Sequence, residues 1–333
     1  MVKKSFFFGK TVVVTGSGAG IGRAIATAFA KEGARLGLLS RNVERLNTLQ
    51  TELREMGVQS MVFPLDVADA EAVTNAAAEV EQKLGPIDVW INNAMVSVFS
   101  LVIKMQPEEY KRVTEVTYLG TVYGTLAALQ FMIPRNEGTI IQIGSALAYR
   151  GIPLQSAYCA AKHAIQGFHD SLLSELIHEK SRVKVSMVQL SAHNTPQFNW
   201  VRSKLKNAAQ PVPPIYQPEV AAKAVLWAAQ HYRREYVVGF PAWKAINGNK
   251  LFPSFGDRFL AKHGYDSQQT GETRTDNPEG NLFQSVDGNY GAHGRFDDRA
   301  IKEDRFFELT KFIPFNFLIA AFMLIVIILL VVF

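Results

Sequence analysis

The sequence predicts an α/β fold in which helices cover both faces of a parallel sheet. Short apolar runs alternate with segments whose apolar residues recur at helical spacing, and this alternation continues to about residue 245. Parallel neighbours need a crossover between strands, so such alternation favours a doubly wound sheet. The chain has 333 residues, of which 48% are hydrophobic, enough for one large core with additions.

Seven apolar runs are predicted as strands, at residues 11–15, 35–39, 60–65, 89–92, 139–143, 183–190 and 236–239. Amphipathic helices are predicted at 21–32, 42–56, 69–83, 107–133, 155–180 and 217–231. Residues 264–300 are rich in Gly, Asn, Asp, Gln and Ser, a composition typical of a loop, lid or linker. We therefore predict a domain over 1–245 and an irregular extension over 246–311.

Charge and cysteine content exclude several classes of protein. The net charge of +5 is spread along the chain without a dense basic block, so we expect no nucleic-acid partner. Cys159 is the single cysteine, which rules out a disulfide within the chain and favours a packing role. His163, His169 and His178 lack carboxylates at ligand spacing, so we expect no metal site.

The C-terminal segment 312–333 contains no charged residue, and only Pro314 and Asn316 interrupt its apolar character. As a helix its 22 residues would span roughly 33 Å, about the thickness of a bilayer core. Arg305 and Lys311 precede it, which favours a cytoplasmic position for the preceding domain. We predict a single-pass membrane anchor; a buried or dimer-forming helix is the alternative, but the segment is apolar on every face.

The octapeptide TGSGAGIG, residues 15–22, lies between the first predicted strand and the first predicted helix. A helix N-terminus attracts phosphate, and glycines let a pyrophosphate approach the backbone. An ordinary turn is the alternative, but the strand–turn–helix setting favours a dinucleotide site. The residues assigned to this site are Gly16, Ser17, Gly18, Gly20, Ile21 and Gly22.

The end of the second strand carries no carboxylate to bind the ribose hydroxyls of NAD(H). Ser40 and Arg41 stand there instead, and a guanidinium suits a 2′-phosphate. The sequence therefore favours NADP(H) over NAD(H), with a solvated Arg41 at the start of a helix as the alternative.

Tyr158 and Lys162 are four residues apart and share one face of a predicted helix, while Ser145 follows the fifth strand. The ordinary pKa of a tyrosine is about three units too high for proton exchange at neutral pH. Lowering it by that much takes about 4 kcal/mol of preferential stabilisation of the phenolate. A Lys162 ammonium and an oxidised nicotinamide can supply much of that stabilisation. Ser145 can hold a substrate oxygen against the phenol.

These features together resemble the short-chain dehydrogenase/reductase family over roughly residues 8–245. The matching motifs are TGSGAGIG, Asp66-Val67, Asn92-Asn93-Ala94, Ser145 and the Tyr158/Lys162 pair. The resemblance implies a seven-stranded Rossmann-type sheet and stereospecific hydride transfer between nicotinamide C4 and a carbonyl or carbinol carbon. It also implies that Tyr158 is the general acid/base and that Lys162 holds the nicotinamide ribose.

The resemblance implies further cofactor contacts. Asp66 and Val67 would contact adenine, Asn92 would support the adjoining strand, and Thr195 would bind the carboxamide. Asn93 and Ala94 complete the cofactor residues.

Three positions depart from the family pattern. Met95 replaces a glycine, and Ser191-Ala192 replaces Pro-Gly. Thr117 stands where an asparagine usually completes the catalytic proton relay, so the relay water could be held differently.

Apolar residues near the predicted site could form a substrate wall, although ordinary packing explains them equally well. They are Met95, Val96, Val98, Phe99, Phe198, Trp200 and Val201. We expect a hydrophobic substrate such as a sterol or long-chain carbonyl compound, and a homodimer or homotetramer formed through 107–133 and 155–180. A cofactor-binding sensor with little turnover and a non-redox reaction remain alternatives.

Overall fold

A computed structural model of the chain describes residues 5–274 and 279–313 together with 317, 319 and 320. Seven strands form its central sheet: β1 (Thr11–Thr15), β2 (Arg35–Ser40), β3 (Ser60–Pro64), β4 (Ile87–Asn92), β5 (Thr139–Ile143), β6 (Lys184–Leu190) and β7 (Glu235–Val238). Their order is β7-β6-β5-β4-β1-β2-β3, and every neighbouring pair is parallel. The predicted doubly wound Rossmann-type sheet is confirmed.

Six longer helices connect the strands across both faces, and three more of the described helices follow β7. They are α1 (Gly20–Lys31), α2 (Val43–Glu55), α3 (Ala70–Lys83), α4 (Pro107–Arg135), α5 (Ser156–His178), α6 (Pro218–Gln230), α7 (Phe240–Leu251), α8 (Pro253–His263) and α9 (Arg305–Thr310). Two apolar clusters result. One joins β1 and β2 to α1 and α6, and the other joins β4 and β5 to α3, α4 and α5.

Helix α4 contains one π-helical stretch, Thr114–Leu119. Of the described residues, α4 alone forms a helix long and apolar enough to cross a membrane, and half of its most apolar window is buried inside the protein. It packs against α3 and β4, so its apolar character is explained by the core.

The predicted anchor 312–333 lies almost entirely outside the described residues. The chain is described as far as Ile313, with Phe317, Ile319 and Ala320 beyond it. Phe312 is exposed, and its ring lies 5.0 Å from that of Trp227 on α6.

The extension after the sheet is more ordered than its composition predicts. The predicted boundary at residue 245 falls inside α7, and α8 follows directly. Gln269–Thr273 forms an antiparallel pair with Asn207–Ala209, and Ala300–Ile301 pairs with Ile215–Tyr216. These short pairings use backbone groups, which explains why a loop-like composition does not reveal them.

Candidate active site

The glycine-rich turn follows β1 and places the start of α1 against the end of β4. Gly16 has a φ of +66°, which side chains of L-residues rarely adopt. A Cβ on Gly22 would lie 2.2 Å from the carbonyl oxygen of Gly16. Only glycine therefore permits this approach, and it leaves the N-terminus of α1 open towards a cleft.

Asparagines at the end of β4 hold the turn in place. The side-chain amide of Asn93 donates to the carbonyl oxygen of Thr15 at 2.9 Å, and its backbone N–H donates to the Thr15 hydroxyl. Asn92 is buried and donates to Thr125 Oγ1 on α4. Asn92 thus supports the strand, as the family resemblance implies.

A cleft runs along this edge of the sheet and is lined by most of the residues predicted to bind cofactor. The predicted residues that line it are Gly16, Gly20, Ile21, Gly22, Ser40, Arg41, Asp66, Val67, Asn93, Ala94 and Thr195. Ser17 and Gly18 are not part of the lining. Ser17 is fully buried, with its backbone N–H directed at the Leu39 carbonyl.

Two arginines beside the cleft are held by a C-terminal strap, which we define as residues 279–297. Arg41 donates to the carbonyl oxygens of Asn281 at 2.6 Å and Phe283 at 3.2 Å. Arg45 donates to the carbonyl oxygens of Val286 and Gly288, each at 2.6 Å. Burial lowers the pKa of both guanidinium groups, because their positive charge is poorly solvated.

The strap also reaches the glycine turn and the neighbouring loop. The N–H of Gly20 donates to the carbonyl oxygen of Gly291 at 3.0 Å. The Tyr290 ring lies 4.7 Å from that of Trp200, and the Arg45 guanidinium lies 4.4 Å from the Trp200 ring. Asn281 and Ser285 line the cleft, so the strap forms part of its wall.

Asp66 contributes the one carboxylate that the described residues place in the lining of this cleft. It is paired with Arg112, whose Nε donates to the carbonyl oxygen of Leu282 on the strap. Its other oxygen accepts from the backbone N–H of Ala68. Asp66 is therefore fixed at the far end of the cleft.

A second cavity of about 310 Å³ contains the chemical groups. Ser145, Tyr158 and Lys162 all line it. Ile21, Asn93, Met95, Thr195 and Gln197 line both the cleft and this cavity, so the two are continuous. A ligand in the cleft can therefore reach the three side chains.

Lys162 is buried, and its ammonium donates to the carbonyl oxygen of Ile143 at 2.6 Å. Its Nζ lies 5.5 Å from the centre of the Tyr158 ring. Burial lowers the pKa of Lys162 to about 8. The lysine is thus still largely cationic at neutral pH and close to the phenol.

Burial also raises the pKa of Tyr158, while interaction with the Ser145 side chain lowers it. In the protein alone the phenol therefore stays protonated and can donate a proton. A phenolate at Tyr158 would need positive charge nearby, which Lys162 and a bound oxidised nicotinamide could supply.

The structure does not bring Thr117 into the lining of this cavity. Its hydroxyl lies in the π-helical stretch, is fully buried, donates to the Val96 carbonyl and accepts from the Val96 N–H. Because the threonine side chain is short, its hydroxyl hydrogen-bonds to the backbone of Val96, which lies next to it in the fold.

The predicted apolar wall is only partly present. Met95 and Phe198 line the second cavity, and Val96 and Trp200 line the cleft. Phe99 and Val201 instead pack together in a small buried cluster with Ala209. Much of the remaining wall comes from later residues, namely Pro211, Val212, Pro213, Pro214, Pro241, Ala242, Ala245 and Leu260.

Two residues of the altered loop after β6 face the same cavity. Ser191 donates to the Val238 carbonyl at 2.8 Å and so ties β6 to β7. His193 is buried, with Nδ1 2.9 Å from the Ser191 carbonyl and Nε2 without a partner among the described residues. Burial lowers the pKa of His193 to about 4, so the ring is neutral and Nε2 is an acceptor.

The cleft fits a nicotinamide dinucleotide. The close approach of Gly16 and Gly22 brings the N-terminus of α1, the kind of site that binds phosphate, to the cleft, where the Gly291 carbonyl of the strap accepts from the N–H of Gly20. Thr195 stands where cleft and cavity meet. Tyr158 lines the cavity beyond that junction. The site thus has the features of an oxidoreductase that uses a dinucleotide.

Comparison with known proteins agrees with this geometry: residues 10–206 match the short chain dehydrogenase family. The chain belongs to that family and is an NAD(P)-dependent oxidoreductase. It is 34% identical over 288 residues to the uncharacterized oxidoreductase YxnA of Bacillus subtilis, covering 86% of this chain and 80% of the relative.

Solved structures show the same fold. A metagenomic short-chain oxidoreductase in complex with NADP is 28% identical, with a TM-score of 0.59 over 70% of this chain and 97% of its own. A Burkholderia phymatum short-chain dehydrogenase/reductase in complex with NAD has a TM-score of 0.66 at 22% identity, covering 76% and 95%. The second likeness is evidence of fold alone.

Arg45 and two strap residues, Asn281 and Ser285, line the cleft without having been predicted as site residues. Arg41 and Trp200, which the strap contacts, were both singled out from the sequence. Asn281 and Ser285 lie in a segment of loop-like composition. The cluster of aromatic and basic residues around 283–299 was the one available signal.

Proposed function

We propose that the protein is an NADP(H)-dependent reductase or dehydrogenase acting on a carbonyl or secondary alcohol of a hydrophobic substrate. The observation that carries the proposal is the continuity between the dinucleotide cleft and the cavity lined by Ser145, Tyr158 and Lys162. The cavity wall is mostly apolar, which supports a lipophilic substrate.

In this proposal each side chain has a defined task. Ser145 donates a hydrogen bond to the substrate oxygen, and Tyr158 gives that oxygen its proton as the carbonyl is reduced. Lys162 stabilises the resulting phenolate and binds the nicotinamide ribose. The bound cofactor supplies or accepts the hydride.

The preference for NADP(H) rests on charge. Arg41 and Arg45 lie beside Ser40 at the adenosine end, and Asp66 is already paired with Arg112. Poorly solvated guanidinium groups favour an anion such as a 2′-phosphate. The strap carbonyls accept hydrogen bonds from only some of the N–H groups of Arg41, so the guanidinium can still donate to a phosphate.

Arg41→Ala tests this preference. We expect it to weaken NADPH binding about tenfold relative to NADH, because a charged hydrogen bond is lost. Equilibrium titration of nicotinamide fluorescence gives both dissociation constants. Equal weakening of NADPH and NADH would show that Arg41 acts only through the strap and would contradict a 2′-phosphate contact.

We further propose that residues 312–333 anchor the protein in a membrane with the catalytic domain on the cytoplasmic side. Exposed Leu126 and Ile133 on α4 and Ile177 on α5 support a homodimer or homotetramer formed through these helices. Membrane fractionation and chemical cross-linking of the full chain test the two statements separately.

A sensor that binds cofactor with little turnover is the second candidate. It is favoured by one observation, the engagement of the Thr117 hydroxyl with the backbone of Val96. NADPH consumption with a panel of lipophilic ketones separates the candidates. Turnover supports the enzyme, whereas tight NADPH binding without turnover supports the sensor.

A further inference from the structure

Helices α7 and α8 carry an apolar face that the described residues leave uncovered. None of the 11 residues of α8 is buried. Phe255 and Phe259 lie one turn apart with 71% and 51% of their surfaces exposed, and Phe252 before them is 66% exposed. The Leu260 side of α8 faces the cavity and Arg150 holds its Asp257, so the phenylalanine face is the side of the helix left for a further packing partner.

We propose that this face, defined by Phe252, Phe255 and Phe259, docks on the surface of a lipid bilayer. The proposal rests on the anchoring role proposed for residues 312–333 and adds a second, separate membrane contact. It also places the catalytic cavity at the membrane boundary.

The charge around the face suits an anionic lipid surface. Residues 240–263 contain Lys244, Lys250, Arg258 and Lys262, all exposed, and Asp257 as their one carboxylate. Asp257 is already paired with Arg150 at 2.6 Å. An apolar helix face flanked by exposed basic residues is the pattern of helices that lie in a membrane interface.

The apolar tail starts beside α7, the helix that leads directly into α8. Helix α9 packs on α7, where the Phe306 ring lies 5.6 Å from that of Phe240 and 6.3 Å from that of Trp243. The chain ends α9 at Thr310 and enters the uncharged segment 312–333 directly. A tail held in a bilayer would therefore bring α7 and α8 close to it.

The same two helices form part of the catalytic cavity. Leu260 of α8 and Pro241, Ala242 and Ala245 of α7 line it together with Tyr158. The outer side of this wall carries the exposed phenylalanines. A lipophilic substrate dissolved in the bilayer would thus meet the wall of the cavity that receives it.

The test uses the full chain with Phe255→Cys, labelled with the environment-sensitive fluorophore NBD and reconstituted in vesicles of phosphatidylcholine and phosphatidylserine. Position 255 is exposed, so the substitution removes no core contact. The matched control is Thr51→Cys, exposed on α2 beside β3 at the opposite edge of the sheet. The unsubstituted chain corrects for labelling of buried Cys159.

We expect doxyl-labelled phosphatidylcholine to quench the label at 255 by half or more and to leave the label at 51 unchanged. Flotation with vesicles and no quenching at 255 would overturn the docking face while leaving the anchor intact. Energy transfer between labelled copies without lipid quenching would assign the face to a second copy and also overturn it. Failure to float would contradict both membrane contacts, and none of these outcomes depends on turnover.

Discussion

The acid/base chemistry of the site depends on a few side chains whose burial works against their charged forms. Burial raises the pKa of Tyr158 and lowers that of Lys162 to about 8. The lysine also donates to the Ile143 carbonyl. The charge of Lys162 is therefore the one most sensitive to pH near neutrality.

Lys162 should impose an alkaline limit on carbonyl reduction. Below about pH 8 the lysine is protonated and stabilises the developing phenolate, whereas above it the charge is lost. We expect kcat/KM for reduction to be level near neutral pH and to fall above about pH 8. A profile that stays level well into the alkaline range would contradict this role.

His193 should make folding less favourable in acid. The unfolded ring binds a proton near pH 6.5, but the folded ring does so only near pH 4. In that window the unfolded state holds more protons, so the free energy of unfolding falls as pH falls, by up to about 1.4 kcal/mol per pH unit.

His193→Asn removes this titration while keeping a side-chain amide near the Ser191 carbonyl. We expect denaturant unfolding in detergent to show a smaller loss of stability between neutral and mildly acidic pH than in the unsubstituted protein. Parallel pH dependences in the two proteins would contradict the assignment. Burial also lowers the pKa of His169 to about 4. His169 therefore accounts for part of the pH dependence of stability that remains in the His193→Asn protein.

At the scale of elements, the strap completes the cofactor cleft. Its carbonyls accept from Arg41 and Arg45, and its Tyr290 ring contacts Trp200. Most of these contacts use backbone oxygens, which every sequence provides. The strands and helices were predictable because burial of one face imposes a regular spacing on their apolar residues. The strap shows no such spacing.

Tyr290→Ala should weaken the hold of the strap on the cleft. The lost aromatic and cation–π contacts are together worth about 1 kcal/mol, so we expect NADPH to dissociate about fivefold faster. Stopped-flow displacement of bound NADPH measures this rate. Tyr290→Phe keeps the ring and should behave like the unsubstituted chain; equal rates in all three proteins would show that the strap does not retain cofactor.

For the molecule as a whole, the sequence predicted the sheet well, while the catalytic roles of Ser145, Tyr158 and Lys162 stay predictions. All seven strands lie within about two residues of their predicted positions, and Ser145, Tyr158 and Lys162 line one cavity. The sequence could not show that Thr117 bonds to Val96 or that α7 and α8 close the cavity. Both depend on contacts between segments distant in the chain.

The whole molecule thus combines a cleft that fits a dinucleotide with a continuous, mostly apolar cavity lined by Tyr158. The central claim is that Tyr158 exchanges a proton with the substrate oxygen while hydride moves to or from the nicotinamide. Tyr158→Phe removes one oxygen atom and keeps the ring, so it separates this role from packing.

The most direct measurement compares Tyr158→Phe with the unsubstituted protein for ketone-dependent NADPH oxidation, with NADPH binding titrated in parallel. The account predicts a fall in kcat of about 10²- to 10⁴-fold with nearly unchanged NADPH affinity. Equal turnover by the two proteins would contradict it.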